Sequence, residues 1–201
     1  MILNAIKKIK KKLYYWFNKK KFYMLGKNVA IDKPLLINEK QNISIGDNTW
    51  FRANARIETV NSWNGIKMQP FLDIGQNCSF EQDLHLICGS SVEIGSDCVF
   101  SARVYISDVN HEYCDISKSV MRQPLICKNV KIGDGCFVGI NTSILPGVIL
   151  GNHCVVGANS VVTHSFPDYS VICGSPAICI KRYDEILNIW RITDKDGNYK
   201  D

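Results

Sequence analysis

Between Lys131 and Thr163 the chain reads KIGDGCFVGINTSILPGVILGNHCVVGANSVVT, and an aliphatic residue returns at every sixth position: Ile132, Val138, Ile144, Leu150, Val156 and Val162. Glycine follows four of them, at Gly133, Gly139, Gly151 and Gly157. Four places after the aliphatics come mostly small or thiol residues: Cys136, Thr142, Val148, Cys154 and Ser160. A helix repeats every 3.6 residues and a half-buried strand alternates strictly, so neither produces this period. A fixed period of six is the mark of a parallel β-helix, in which each repeat forms one short flat face and three faces close a coil.

The same anchor, an aliphatic-Gly pair followed by Cys or Thr, occurs at Ile45, Ile74, Ile94 and Ile132, with Leu150 as a variant. A weaker repeat leads in through Ile31, Ile37 and Ile43. An uninterrupted coil places anchors 18 apart, whereas the steps are 29, 20, 38 and 18. The excesses of about 11, 2 and 20 residues must leave at corners, because a face that absorbed them would lose register. The long excursions fall near residues 59–70 and 107–128. Long loops on a rigid scaffold are where binding and catalysis concentrate.

Composition narrows the chemistry. Cys78, Cys98, Cys136 and Cys154 occupy one repeat position, as small polarizable fillers of the coil interior. No Cys-x-x-Cys pair is present, so a zinc ribbon or thioredoxin-type site is not expected. Reduced structural cysteines imply a reducing, cytoplasmic compartment. The net charge of +5 is lopsided: residues 1–27 hold nine lysines and no acid, and the remainder is −4. That distribution does not suit a nucleic-acid-binding domain. Ile2, Ile6, Ile9, Leu13 and Trp16 share one helical face, with lysines mainly on the others. Lysine interrupts the run too often for a secretory signal or a spanning helix. Residues 1–27 therefore read as a basic amphipathic helix. It either lies on the inner face of the cytoplasmic membrane through residues 1–25 or caps the coil. The coil occupies 28–182. Residues 183–201 form a tail in which Ile186, Ile189 and Trp190 have the spacing of a short C-terminal helix.

Four histidines are available for proton transfer. His85, His153 and His164 lie in or beside regular repeats and suit satisfied or surface roles. His111 stands at the start of the longer excursion, in VYISDVNHEYCD, with Asp108, Glu112 and Asp115 near it in sequence. An imidazole just off a rigid face suits general-base work near neutral pH.

DVNHEYCDI, VKIGDGCFVGINTSILPGVILG and VGANSVVTHSFPDYSVICGSPA together resemble the hexapeptide-repeat acyltransferases over about residues 40–182. The likeness is nearest to galactoside and maltose O-acetyltransferases, xenobiotic acetyltransferases, and O-acetyltransferases of capsule and lipopolysaccharide assembly. It implies a left-handed coil, against the usual crossover hand, and a homotrimer with sites between subunits. It further implies acetyl-CoA as donor, no metal, and a glycan or lipid-linked sugar as acceptor. The family's catalytic histidine lies 17 residues after a coil anchor, and counting from Ile94 reaches His111. By the same likeness Gly139 and Ile140 offer a backbone N–H to the oxyanion, and Ala158 and Thr163 line the pantetheine arm. Lys181 and Arg182 meet the CoA phosphates. Asp83, Asp108 and Asn110 are candidates for acceptor contact, with Asp83 also a candidate to orient the histidine. Relatives often read Asp-His-x-His where this chain has Asp108-Val109-Asn110-His111, and asparagine where it has Glu81, Gln82 and Asp83. O-acetylation of a surface glycan is the leading expectation. N-acetylation of a nucleotide-linked amino sugar and a non-catalytic scaffold are the alternatives.

Overall fold

A computed structural model describes residues 15–194 and 197–200. The chain winds into a prism of three stacked parallel faces. The first face carries Met24–Leu25, Ile43–Ile45, Phe71–Ile74, Ser91–Ile94, Val130–Ile132 and Ile149–Leu150. The second begins at Ala30–Ile31 and the third at Leu36–Ile37, each continuing one strand per coil. The anchors stand in register: Ile45 on Ile74, Ile74 on Ile94, Ile94 on Ile132 and Ile132 on Leu150. Leu25 pairs with Ile45 below them, so the coil starts one face, six residues, before the weak repeat legible in the sequence at Ile31.

The six-residue period follows from inward aliphatics stacking on like residues. On the second face Phe51, Phe80 and Phe100 stack nearly parallel, with ring centroids 4.5 and 4.6 Å apart. The residue four places on is more than filler. Thr49 Oγ1 donates to the Gly75 carbonyl at 2.9 Å, and the thiols of Cys78, Cys98 and Cys136 donate to Gly95, Gly133 and Gly151 at 3.1, 3.2 and 3.2 Å. All three thiols are at most 1% exposed. Each holds a corner carbonyl that the sheet ladders do not reach. The glycine is required by close approach: a Cβ on Gly95 would lie 2.8 Å from the backbone of Gly133.

Corner residues adopt left-handed backbone, which explains the asparagines there. Asn48, Asn77 and Asp97 have φ near +60° at one corner, and Asn54, Asp83, Asn141 and Asn159 at another. Their side chains bond from coil to coil, as in Asn77 Nδ2 to Asp97 Oδ1 at 2.9 Å and Asn54 Nδ2 to Asp83 Oδ1 at 3.0 Å.

Every insertion leaves at the third corner, between the third face and the first. Ile57 to Ile74, Leu86 to Ile94 and Ile106 to Ile132 each span that corner, while the other two corners keep the step of six. The first insertion folds into a hairpin, Ser62–Trp63 against Ile66–Lys67. The longest forms an arm whose root is Val109–His111 paired antiparallel with Leu125–Cys127.

Both ends correct the sequence reading. The expected C-terminal helix is a strand, Ile189–Ile192, paired antiparallel with Ala177–Asp184. Ala177–Asp184 leaves an open sheet edge, and a strand satisfies its backbone where a helix could not. The Asp184 carboxylate accepts the N–H groups of Ile186 and Leu187 at 3.0 Å each, and Asn188 turns left-handed, which closes the hairpin. At the other end residues 15–18 are helical, but the helix does not run to residue 27. Phe22 and Leu25 are 5% exposed in the core, and burying them draws the chain into strand. The expected helical stretch 1–14 lies outside the described residues.

Candidate active site

His111 is exposed at the end of the arm's first strand, opposite Leu125. The arm's position is fixed from below by Asp108. Its carboxylate is fully buried and accepts the N–H groups of Gly89, Ser90 and Ser91 at 2.6, 2.7 and 2.8 Å. Those donors belong to the corner of the preceding coil, so Asp108 ties one insertion to the next. Burial pushes the Asp108 carboxyl up, against the pull of the three N–H groups. Gly89 lies close under the arm, where a Cβ would be 2.7 Å from the side chains of both Val109 and Cys127. Asp108 is therefore spent on the scaffold and is not open to an acceptor, as the sequence had suggested. Asn110 is exposed beside His111 and remains so placed.

Among the described residues no hydrogen bond engages either nitrogen of the His111 ring. Its neighbour is Trp63 of the hairpin, edge to face with centroids 5.1 Å apart. Trp63 Nε1 donates to the Gln123 carbonyl at 2.9 Å, and Asn64 Nδ2 donates to the carbonyls of Met121 and Gln123 at 3.0 and 3.2 Å. The Gln123 side chain, 3% exposed, in turn closes the arm on Asp115 and Lys118. Hairpin and arm thus form one unit around the histidine. Trp63 and Gln123 were missed in the sequence because nothing in the period shows that two insertions share a corner.

The other candidates lie elsewhere on the prism. Gly139, Ile140 and Ala158 are together at the corner between the second and third faces: Gly139 packs so closely under Ala158 that a Cβ would be 2.6 Å from its nitrogen. The Gly139 N–H donates to Val156 at 2.8 Å, which removes it as an oxyanion donor. The Ile140 N–H carries no hydrogen bond among the described residues. Asp83 belongs to that same corner, one face away from His111, and cannot orient it from within the chain. Thr163 is exposed at the insertion corner, its hydroxyl 3.3 Å from His164 Nδ1. Lys181 and Arg182 are consecutive in a strand and point to opposite sides. Lys181 is exposed, and Arg182 lines a cavity with His164, Phe166 and Cys179. The two therefore face different surfaces of this chain.

A six-residue repeat wound into a three-faced prism, with a histidine on an arm at one corner, defines a hexapeptide-repeat acyltransferase. Residues 129–164 match the family described as bacterial transferase hexapeptide (six repeats). The chain is 35% identical over 144 residues to the putative lipopolysaccharide biosynthesis O-acetyl transferase WbbJ of Escherichia coli K12, covering 66% of this chain and 74% of that protein. It is 25% identical over 157 residues to the putative colanic acid biosynthesis acetyltransferase WcaF of the same organism, covering 78% and 68%. In fold it is similar to the N-acyltransferase AntD of Bacillus cereus, solved with dTDP and 3-hydroxybutyryl-CoA, at a TM-score of 0.67 and 20% identity over 87% and 90% of the two chains. The chain belongs to the hexapeptide-repeat acetyltransferases, and its coil is the left-handed β-helix of that family.

Proposed function

We propose that this protein transfers acetyl from acetyl-CoA to a hydroxyl of a bacterial surface-glycan sugar or its lipid-linked precursor, with His111 as general base. The observation that carries the reading is the placement of His111, exposed on an arm held rigid by Asp108 and by the hairpin. The names of the O-acetyltransferase relatives support a polysaccharide acceptor.

In the reaction the neutral imidazole removes the proton from the acceptor hydroxyl as its oxygen attacks the thioester carbonyl. The tetrahedral oxyanion needs an N–H donor, and the Ile140 amide is the uncommitted one. Collapse expels the CoA thiolate, which takes up the proton from the imidazolium. His111 and Ile140 stand on different corners of one chain. A complete site therefore pairs the insertion corner of one subunit with the second-to-third corner of its neighbour, in a homotrimer. Asp83 then approaches His111 across the interface, as an acceptor-side group.

The terminal segment supports a location on the cytoplasmic membrane face. Trp16, Phe17, Tyr23 and Met24 are 73, 61, 70 and 48% exposed, beside exposed Lys19, Lys20 and Lys21. Aromatic side chains with flanking lysines suit the headgroup layer of an anionic bilayer. Phe22 and Leu25 meanwhile cap the coil, so the segment serves both roles.

Purified protein incubated with acetyl-CoA and either polyprenyl-linked and free oligosaccharides or a dTDP-linked amino sugar separates the O- and N-transfer readings by which acceptor releases CoA. The reading expects oligosaccharide-dependent release that falls at least about a hundredfold in His111→Ala. Full activity in that variant would refute the base, and turnover of the amino sugar alone would replace O- by N-acetylation.

A further inference from the structure

The reading above leaves the hairpin 62–67 without a chemical role, although it provides the nearest ring to His111. We propose that Trp63 is the acceptor platform of the site: its indole forms the wall on which a hexopyranose ring lies while one hydroxyl is presented to the His111 imidazole. This rests on the assignment of His111 as base, and it names the shape of acceptor that base would serve.

Three observations lead there. Trp63 is half-buried and clamped, its only polar atom committed to the Gln123 carbonyl at 2.9 Å. A ring held by its N–H keeps its orientation, so the exposed part of the indole is a fixed surface rather than a mobile side chain. Second, the His111 ring has no carboxylate or carbonyl partner among the described residues, and Trp63 stands beside it edge to face at 5.1 Å and 69°, which puts the indole next to the imidazole that receives the acceptor hydroxyl. Third, Asn64 fastens the hairpin tip to the arm through two further bonds, so the spacing between indole and imidazole is built in from both sides.

The ligand class follows from the chemistry of the wall. An indole face carries partial negative charge and cannot donate to a hydroxyl. The ring face of a hexopyranose in which axial C–H bonds align is weakly positive and apolar, whereas its rim carries the hydroxyls. Laid on Trp63, such a ring turns its rim to the imidazole. An acyclic alcohol or a phosphate has no such face. Trp63 is thus a positioning residue, acting on the acceptor's orientation.

The test uses the full-length protein, acetyl-CoA, and p-nitrophenyl glycosides of β-galactose, β-glucose and N-acetyl-β-glucosamine, with glycerol as a ringless hydroxyl acceptor. Trp63→Leu keeps an apolar filler and removes the π face, while Trp63→Phe keeps a ring. The proposal expects Trp63→Leu to lose roughly tenfold or more in kcat/KM for the best glycoside, with the KM for acetyl-CoA and the glycerol rate unchanged. Trp63→Phe should retain most of the glycoside activity. Trp63→Leu within about twofold of wild type on the glycoside would overturn the platform. So would an equal fall in the glycerol rate, which marks a merely structural hairpin. A wild-type protein that acetylates none of the glycosides also contradicts it. Undiminished glycoside turnover by His111→Ala refutes the base instead, and the comparison of Trp63→Leu with Trp63→Phe still reads the platform.

Discussion

At the scale of single residues, the inward column of Thr49, Cys78, Cys98 and Cys136 shows how one side chain satisfies two requirements of a stacked coil. It fills the corner, and its O–H or S–H closes on the glycine carbonyl of the next coil. The sequence disclosed the column through its period, but only the geometry discloses the donor. Thr49 shows that a hydroxyl serves in the place of a thiol. Cys98→Thr and Cys98→Val are nearly equal in shape and differ in the donor. The Val variant should therefore be less stable than the Thr variant by about 1 kcal/mol, the net worth of a hydrogen bond plus an unsatisfied carbonyl. Chemical denaturation of the two measures it, and equal midpoints would reduce the thiol to filler.

At the scale of elements, what could be read from sequence was whatever repeats. The faces, the anchors and the two long insertions follow from a period of six, and the register bears them out. Elements outside the period were harder to place. Ile186, Ile189 and Trp190 fit helical spacing, yet the open edge of Ala177–Asp184 decided for a strand. Asp108 drew notice as a polar group beside a histidine, whereas its three backbone donors come from a corner 17 to 19 positions earlier in sequence. The segment at residues 15–25 has two faces, Phe22 and Leu25 inward and Trp16, Phe17 and Lys19–Lys21 outward. If the outward face meets lipid, replacing Lys19, Lys20 and Lys21 together by Gln should weaken binding to phosphatidylglycerol vesicles, read by co-sedimentation, on the order of a hundredfold at low salt, each lysine being worth about 1 kcal/mol near the surface. Added salt should weaken wild-type binding in the same direction. Equal sedimentation of wild type and triple variant would contradict the lipid assignment.

At the scale of the whole molecule, the prism keeps its functional groups on separate edges. His111, Trp63 and Thr163 share the insertion corner, while Ile140, Ala158 and Asp83 share the corner one face away. The family resemblance implied sites between subunits, whereas the repeat alone reports which face a residue occupies and not which faces meet in an assembly. The central claim is therefore that the base of one subunit works against the donor wall of another. Co-expression of two inactive chains tests it most directly. One carries His111→Ala, and the other carries Ala158→Trp to obstruct the donor corner. Each alone should be nearly inactive, and the co-expressed population as a whole should regain about a quarter of wild-type activity per chain, since random assembly at equal expression brings an intact histidine against an intact donor corner at about one contact in four. Activity no greater than the sum of the two parents, in mixtures shown to contain both chains in one trimer, would place base and donor in the same chain and contradict the account.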